Sequence, residues 1–500
     1  EIALTPQTVR WFMARFPGQV GLVHSRLSNG ERYDTWRRAR AGYLPVIVGP
    51  RSALFTPLPR LGLIIVDEAH DESYYQSEVP PNYHAVRLAV QYAHLSGAVC
   101  ILGSATPDVV MLYQSEQAGW PVLSLPARVL AHRQVIASQA ERLGIAPPPG
   151  PLEGDATSLE LPPVQVIDMR QELKAGNRSI FSRALQQALD QVLSAGQQAI
   201  LFLNRRGTAT YIFCRNCGHS LNCPQCDLPL TYHTPGTTLV CHYCGYQRSL
   251  PAICPVCGSN QIRQYGTGTE KVEAEVQALL PGVRTLRWDA ETTREKGAHE
   301  IILSHFANHR ADVLVGTQML AKGLDLPFVT LVGIILADVG LSLPDYRAAE
   351  RTFQVLTQVA GRAGRSPLGG KVIMQTFQPD HYVIQSASQH DFASFYRQEL
   401  AHRRALGYPP FYRMVRLEYR HPKADKAEEA ARNLAAQLQE WIEAGDRRAT
   451  RLIGPVPCFF SRISGLYRWQ IVLRGPDPVS LLRDRPLGEW RVEVDPPNLL

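Results

Sequence analysis

The sequence predicts an α/β protein of two parallel-sheet lobes, the second interrupted by an all-cysteine insertion, with a small α+β domain closing the chain. Three observations carry that expectation. Apolar runs of strand length alternate with helical or polar stretches of crossover length over residues 1–125 and again over 164–400, the layout of a buried sheet with flanking helices. Eight of the ten cysteines crowd between Cys214 and Cys257, inside the second series. After His402 the pattern changes to alternating strands around one long Ala-rich helix. Five hundred residues make room for roughly three to four domains, and 45% hydrophobic with 19% charged residues is ordinary for chains that bury cores. A single small module and a largely disordered chain are both excluded.

In the first lobe (residues 1–125) the strand candidates are VGLVHS, YLPVIVG, LGLIIVD and AVCILGS. Between 126 and 163, Pro, Gly and small polar residues dominate, as in APPPGPLEGDATS, which predicts a linker or surface excursion. The second lobe begins over 164–207 with the helical SRALQQALDQVLSAG and the strand AILFLN, is broken by the insertion at 208–264, and resumes over 265–400 with ADVLVGT, VTLVGIILAD and KVIMQTF. Residues 401–500 read as βαββ: GYPPFYRMVRLEYR, the helix KADKAEEAARNLAAQLQEWIEAG, then RWQIVLRG and WRVEVDP. No apolar run reaches the roughly 18 residues of a membrane span, and no secretion signal opens the chain, so no membrane partner is expected. Net charge is +7, which mildly favours a polyanion, although only seven of the 52 basic residues are Lys and an Arg bias can come from base composition instead.

The cysteines form four Cys-x2-Cys knuckles: Cys214 and Cys217, Cys223 and Cys226, Cys241 and Cys244, Cys254 and Cys257. In a chain without a secretion signal such clustering means metal rather than disulfides, and eight thiolates suit two tetrahedral Zn2+ sites. Five residues between Cys217 and Cys223 are few for two knuckles to turn onto one ion, whereas the 14 between Cys226 and Cys241 make a comfortable hairpin. The expected pairing therefore puts Cys223, Cys226, Cys241 and Cys244 on one ion and Cys214, Cys217, Cys254 and Cys257 on the other. A closed four-thiolate shell has no open position for substrate, so the role is structural. His219, His233 and His242 lie in the same module and are surplus to the ligand count.

Asp67, Glu68 and His70 end the apolar run LGLIIVD, where α/β sheets bind ligands. A DEAH tetrapeptide can also be a capped helix start. After a buried strand, though, two carboxylates suit a nucleotidase, one holding Mg2+ and one polarising water. VAGRAGR offers Arg362 and Arg365 as two guanidiniums for a phosphate, against the bland alternative of a Gly/Arg surface loop.

Together with GSATP (103–107), FLNRRG (202–207) and GTQMLAKGLD (316–325), these motifs resemble superfamily 2 helicases in order and spacing. More narrowly, EIALTPQT, LFLNRRG running into four Cys-x2-Cys pairs, GTGTEKVE, GTQMLAKGLDLP, QVAGRAGR, GYPPF, YRWQIVLRG and VDPPNLL resemble the PriA family of primosomal replication-restart DNA helicases over nearly the whole chain. The resemblance implies two RecA-like lobes bridged by ATP with Mg2+, and a cycle of cleft opening and closing that moves the lobes along one strand. It implies that Asp67 holds Mg2+ through water, Glu68 activates the hydrolytic water, His70 and Gln358 couple nucleotide state to the lobe interface, and Arg362 and Arg365 stabilise the γ-phosphate charge. Ser104 and Thr106 would link hydrolysis to movement, with Gly316, Thr317 and Lys322 along the cleft and its DNA side. HDESYYQSEVPPNYHAVR lies where the family carries an aromatic-rich loop, so Tyr74, Tyr75, Tyr83 and His84 are candidates for stacking on single-stranded DNA, with Arg87 near the backbone; a solvated loop with incidental tyrosines is the competing reading. Arg462, Arg468 and Trp469 are candidates for contact with single-stranded DNA or with the tail of single-strand-binding protein, core packing being the simpler account of Trp469. Implied partners are DNA forks and single strands, single-strand-binding protein and other primosome proteins, for a monomer in the bacterial cytoplasm at the nucleoid.

No G-x4-G-K-S/T phosphate loop occurs; GTGTEK has the wrong spacing and GRSPLGGKV has Val where Ser or Thr should hold Mg2+. A chain opening on Glu1 looks like a piece of a longer protein, with the family's phosphate loop and N-terminal DNA-binding domains expected upstream. Two hypotheses follow: an ATP-dependent 3′-to-5′ DNA helicase of replication restart, inactive in the piece given, or an ATPase-inactive DNA-binding scaffold for primosome assembly. An RNA helicase is a distant third, given the cysteine module and terminal domain.

Overall fold

The computed structural model describes residues 6–76, 81–125, 128–132, 141, 144, 156–159, 161–204, 211–226, 228–233, 238–265, 268–289, 291–293, 295, 297–317, 326, 328–364 and 368–499. Lys322 and Arg365 lie outside them, as does most of the 126–163 segment. The chain forms two compact units, 1–112 and 113–500.

In the first unit α1 (Pro6–Arg15), β1 (Val20–Leu22), α2 (Asn29–Arg40) and β2 (Val46–Val48) lead to β3 (Leu63–Val66). A short antiparallel pair, β4 (Tyr75–Gln76) and β5 (Tyr83–His84), precedes α3 (Ala85–Ser96), β6 (Val99–Leu102) and α4 (Val109–Gln117), which runs on past the unit's end. All four expected strands form and pair in parallel, β1 with β2 and β3 with β6. Alternation along the second pair turns Ile64, Val66, Cys100 and Leu102 towards Val86 and Ala89 of α3. Gly97, in the left-handed conformation at φ 65°, ends α3 and returns the chain to β6.

The second unit opens on the antiparallel pair β7 (Arg128–His132) and β8 (Ala156–Leu159). Then come β9 (Val164–Asp168), α5 (Met169–Lys174), α6 (Arg183–Ser194) and β10 (Gln198–Phe202). The insertion holds β11 (Tyr211–Cys214), β12 (Thr231–His233), β13 (Thr238–Val240), β14 (Gln247–Ser249) and β15 (Ile262–Tyr265). The lobe resumes with α7 (Thr269–Leu279), β16 (Thr285–Trp288), α8 (Ala298–Ala307), β17 (Val313–Gly316), β18 (Val329–Ile334), α9 (Ala348–Ala360), β19 (Lys371–Thr376), α10 (Tyr382–Ser388) and α11 (Phe392–Leu406). Its sheet is parallel throughout, in the order β16-β17-β10-β18-β19-β9. Every residue of β10, β17 and β18 is buried, which is why these strands read as apolar runs interrupted only by Gln198 and Thr330. The edge strands β9 and β16 are polar at alternate positions and escape sequence reading for that reason. Ser182 caps α6, its Oγ accepting from Leu185 N at 3.2 Å, and Leu185, Ala188, Leu189 and Val192 close over the sheet. Gly333 admits the helix so closely that a Cβ there would lie 2.7 Å from Leu201 and 2.9 Å from Leu185.

Within the insertion, β11 and β15 form an antiparallel stem and β12, β13 and β14 a three-stranded sheet. The terminal domain contains β20 (Arg413–His421), α12 (Ala424–Ala444), β21 (Arg451–Ile463), β22 (Leu466–Gly475), α13 (Pro478–Leu482) and β23 (Arg491–Val494). Its antiparallel sheet runs β21-β22-β20-β23. Ala427, Ala431, Leu434, Ala435, Leu438 and Ile442 make one buried stripe of α12, each leucine contributing about 1.5–3 kcal/mol by leaving water. β21 is the strand the sequence hides: Gly454, Pro455 and Pro457 look like turn signals, and the ladder accommodates them with register shifts at Ile453/Val456 and Pro457/Arg462. Among the described residues no helix is long and apolar enough to cross a membrane.

Candidate nucleotide and metal centres

Asp67 and Glu68 stand exposed just beyond the C-terminal end of β3, and Ser104 and Thr106 follow β6 beside it. The two turns are tied together, since Gly103 N donates to Val66 O at 2.8 Å and Ala69 N to Gly103 O at 2.9 Å. Side chains continue the link. Buried His70 places Nδ1 2.7 Å from Ser104 Oγ and 3.6 Å from Glu68 Oε2, and Thr106 N donates to the same Ser104 Oγ at 3.1 Å. Glu68 sits at φ 48°, a left-handed conformation costing a non-glycine residue on the order of 1–3 kcal/mol, and its N–H donates to Asp67 Oδ1 at 3.0 Å. An exposed pair of carboxylates, one of them strained and 3.6 Å from a histidine that is itself hydrogen-bonded to the neighbouring turn, can hold a cation, orient water and pass movement to that turn.

The tyrosine-rich segment is built onto this turn. Tyr74 donates its hydroxyl to Asp67 O at 2.7 Å, and Arg51 Nη1 donates to Ser73 O at 2.7 Å and Tyr75 O at 3.0 Å. Tyr75 pairs with His84 across β4 and β5, Phe55 meets Tyr83 edge-on at 5.4 Å, and Arg87 is exposed. These contacts hold the described part of the segment against the Asp67 turn and the β2–β3 connection. Sequence reasoning missed Arg51; nothing near it in sequence marks it as the peg that holds a loop more than 20 residues away.

In the second unit Gly316 ends β17, its carbonyl accepting from Leu203 N at 2.9 Å, and Thr317 N reaches Trp288 O at 3.4 Å. Asn204 lies buried beyond β10 on the same C-terminal edge. Gln358 is half-buried near the end of α9, and Arg362, 6% exposed, follows it in the turn whose N–H groups close onto Val359 and Ala360 carbonyls. The nucleotide candidates are therefore carried on two separate units, Asp67, Glu68, His70, Ser104 and Thr106 on one and Gly316, Thr317, Gln358 and Arg362 on the other.

The eight cysteines gather into two groups, Cys214, Cys217, Cys254 and Cys257 in one and Cys223, Cys226, Cys241 and Cys244 in the other, with all four sulfurs of a group within 4.8 Å of one another. Sulfur separations are 3.6 Å for Cys214 and Cys257, 3.7 Å for Cys217 and Cys254, and 3.5 Å for Cys223 and Cys244. A tetrahedral ion with Zn–S bonds of about 2.3 Å needs sulfurs about 3.8 Å apart, so both groups fit Zn2+. Three of the knuckles close as tight turns, where Gly218 N donates to Cys214 O, Gly245 N to Cys241 O and Gly258 N to Cys254 O, turns that the Gly after the second Cys permits at φ 79°, 80° and 68°. His242 is turned away, with Nδ1 3.2 Å from Pro457 O.

The module is packed on two sides. Its first group is wedged against the lobe: Gly218 leaves no room for a Cβ beside Phe377 O, and Arg170 Nη1 donates to Cys217 O at 3.4 Å. Its second group shares a core with the terminal domain, where Leu239, Cys241 and Tyr243 pack with Tyr408, Met414, Val472 and Leu499. Gln470 Nε2 donates to His242 O at 3.0 Å and the Arg474 guanidinium lies 5.8 Å and 4.9 Å from the Tyr243 and Tyr408 ring centres. Arg468 corrects a further expectation. It is buried, giving Nε and Nη2 to Glu418 at 2.8 Å and 3.1 Å, and is committed to that ion pair rather than offered to a polynucleotide. Arg462 remains exposed over Tyr467, and Trp469 is half-buried on β22.

Three family descriptions match: Primosomal protein N C-terminal domain over 404–497, PriA DNA helicase Cys-rich region domain over 223–248, and Helicase conserved C-terminal domain over 259–367. The replication restart protein PriA of Bacillus subtilis is 42% identical over 502 residues, covering 100% of this chain and 58% of that protein. Its counterpart in Treponema pallidum is 40% identical over 510 residues, covering 100% of this chain and 72% of that protein. The chain thus spans a little over half the length of the first of these relatives. Among solved structures, RecG bound to a three-way DNA junction aligns with 80% of this chain and 41% of its own at 13% identity and a TM-score of 0.35.

Proposed function

The chain belongs to the PriA family of replication restart proteins, and from that premise we propose that it supplies motor, metal and terminal parts of an ATP-dependent 3′-to-5′ DNA helicase that reloads the replication machinery at stalled forks. The observation that carries the reading is the pair of turns joined by His70 and Ser104, with Tyr74 bonded to the backbone of Asp67. Bound Mg2+ with ATP supplies charge neutralisation at the transferred phosphate. Asp67 holds that cation through water, and Glu68 orients the hydrolytic water and accepts its proton. Arg362 and Arg365 stabilise the charge that develops on phosphate, while Gln358 reports nucleotide state to α9. His70, Ser104 and Thr106 pass the change at Glu68 to the β6 turn. Tyr74, Tyr75, Tyr83 and His84 sense a stacked single strand and relay it to Asp67. Gly316, Thr317 and Lys322 line the DNA side.

The two zinc groups act structurally, and the partners are forked and single-stranded DNA, single-strand-binding protein and other primosome components. The working form is a cytoplasmic, nucleoid-associated monomer. Residues 1–500 by themselves are proposed to turn over almost no ATP.

Strand displacement by the full-length protein on forks with a 3′ or a 5′ single-stranded arm tests this. ATP-dependent displacement is expected with 3′-to-5′ polarity only, with Glu68→Gln and Arg362→Ala each lowering DNA-stimulated ATPase by about a thousandfold. Fork binding and partner loading without any ATP turnover by the unmutated protein would replace the motor by the assembly scaffold.

A further inference from the structure

Nine of the thirteen residues of α9 are buried, among them Glu350, Arg351, Thr352 and Gln354. Charges this deep need partners, and those of α9 come from α11, from the turn before the helix and from residues 497–499 of the terminal domain. Arg403 of α11, fully buried, gives Nη2 to Glu350 Oε2 at 2.8 Å, Nε to Glu399 Oε1 at 2.7 Å and Nη1 to Pro409 O at 3.3 Å. Arg347 Nε joins Glu350 Oε2 at 2.9 Å, and the Tyr382 hydroxyl donates to Glu399 Oε2 at 2.6 Å.

Just before the helix, buried Asp345 accepts from Arg347 N at 2.8 Å, from Arg351 Nη1 at 3.1 Å and from Leu499 N at 3.0 Å. The Arg347 and Arg351 guanidiniums both donate to Pro497 O. The end of the chain is thereby strapped to the start of α9. Among the described residues three arginines (Arg347, Arg351, Arg403) face three carboxylates (Asp345, Glu350, Glu399).

A buried ion set of this kind gains little stability over apolar residues of the same volume, but its fixed fork geometry admits one register, and losing one member strands a charge in the core. α9 carries that register over about 12 Å, the rise of eight helical residues from Glu350 to Gln358, and then to Arg362.

We infer that the Arg403-centred cluster and the Pro497–Leu499 strap are a positioning device that fixes α9, sets where Gln358 and Arg362 are presented, and makes nucleotide turnover depend on docking of the terminal domain. The turnover clause rests on the function proposed above; the fixing of α9 does not.

The test uses the full-length protein in two forms, a triple variant that removes three of the six charges (Glu350→Gln, Glu399→Gln, Arg403→Met) and a chain ended after Pro496. Amide hydrogen exchange of residues 349–364 is compared with that of α6 in the same lobe, alongside zinc content and DNA-stimulated ATPase. In both forms α9 should exchange about tenfold faster or more while α6 and zinc content stay as in the unmutated protein. DNA-stimulated kcat should fall by about tenfold with KM for ATP nearly unchanged. Unchanged protection of α9, or equal loss in α6 and α9, would show the cluster to be mere packing and overturn the inference. Faster exchange with kcat intact would overturn its link to turnover. If the triple variant fails to fold, Arg403→Lys, which keeps the charge and loses the fork, is judged by the same outcomes. An unmutated protein without DNA-stimulated ATPase would count against the helicase reading, and exchange at α9 would still judge the positioning device.

Discussion

At the scale of single residues, what could be read in advance is what depends on neighbours in sequence. The pairing of knuckles followed from five residues against fourteen, a constraint of chain reach, and the sulfurs gather in that arrangement. Arg468 shows the opposite case. Its exposed-looking setting in YRWQ says nothing of Glu418, 50 residues away, which the antiparallel register of β20 and β22 brings beneath it. Glu418 also gives a pH prediction. Burial alone would raise its pKa, but hydrogen bonds from Arg468 and the charges of Arg416 and Arg468 outweigh burial and bring it from 4.5 down to about 2. Because the folded value is the lower one, the stabilisation is complete above pH 4.5 and disappears as pH falls towards 2. It amounts to on the order of 3 kcal/mol. Denaturant unfolding followed across that range should show the terminal domain losing stability, with Glu418→Gln less stable at neutral pH and flatter below it; parallel curves for the two proteins would refute the assignment.

At the scale of elements, fully buried strands announced themselves and half-polar or interrupted ones did not. β10, β17 and β18 are apolar nearly throughout and β19 has the apolar centre Val372–Met374, whereas β9 and β16 sit at sheet edges and β21 is broken by prolines at its register shifts. Nor could the sequence show what the cysteine module leans on, because the two faces that hold it come from Phe377 and from β22, more than 100 residues downstream. That division predicts unequal consequences of losing each ion. Cys241→Ser, in the core shared with Met414 and Val472, should release one Zn2+ and speed hydrogen exchange in β20 and β22. Cys257→Ser, at the exposed end of the other group, should release one Zn2+ and leave those strands protected. Equal effects of both substitutions on β20 and β22, with metal measured in each preparation, would mean that the shared core does not transmit the site's stability.

At the scale of the whole molecule, the question is whether anything within residues 1–500 can take the place of a phosphate loop, and the fold argues that neither sequence near-match does. Lys371 begins β19 at the N-terminal edge of a parallel sheet, the edge opposite Asn204 and Gly316, and its Nζ lies 3.3 Å from Gln191 Oε1. Ligands of such sheets bind at the other edge, outside the carboxyl ends of the strands. Lys271 lies in the first turn of α7, where a helix start could in principle attract phosphate. There, however, Thr269 donates its hydroxyl to Asp289 Oδ2 at 2.6 Å. Burial would raise the Asp289 pKa, but Thr269, the Thr292 amide and Arg287 hold it down to about 2, so a fixed negative charge stands beside the helix start and disfavours an anion there. A polypeptide of these 500 residues should therefore show ATPase indistinguishable from a Glu68→Gln control, with or without single-stranded DNA, while retaining two Zn2+ and binding DNA in a salt-sensitive manner. Turnover that is stimulated by DNA and lost on Lys371→Ala or Lys271→Ala would show that one of these lysines does cradle phosphate, and the placement of the nucleotide on this fold would have to be redrawn around it.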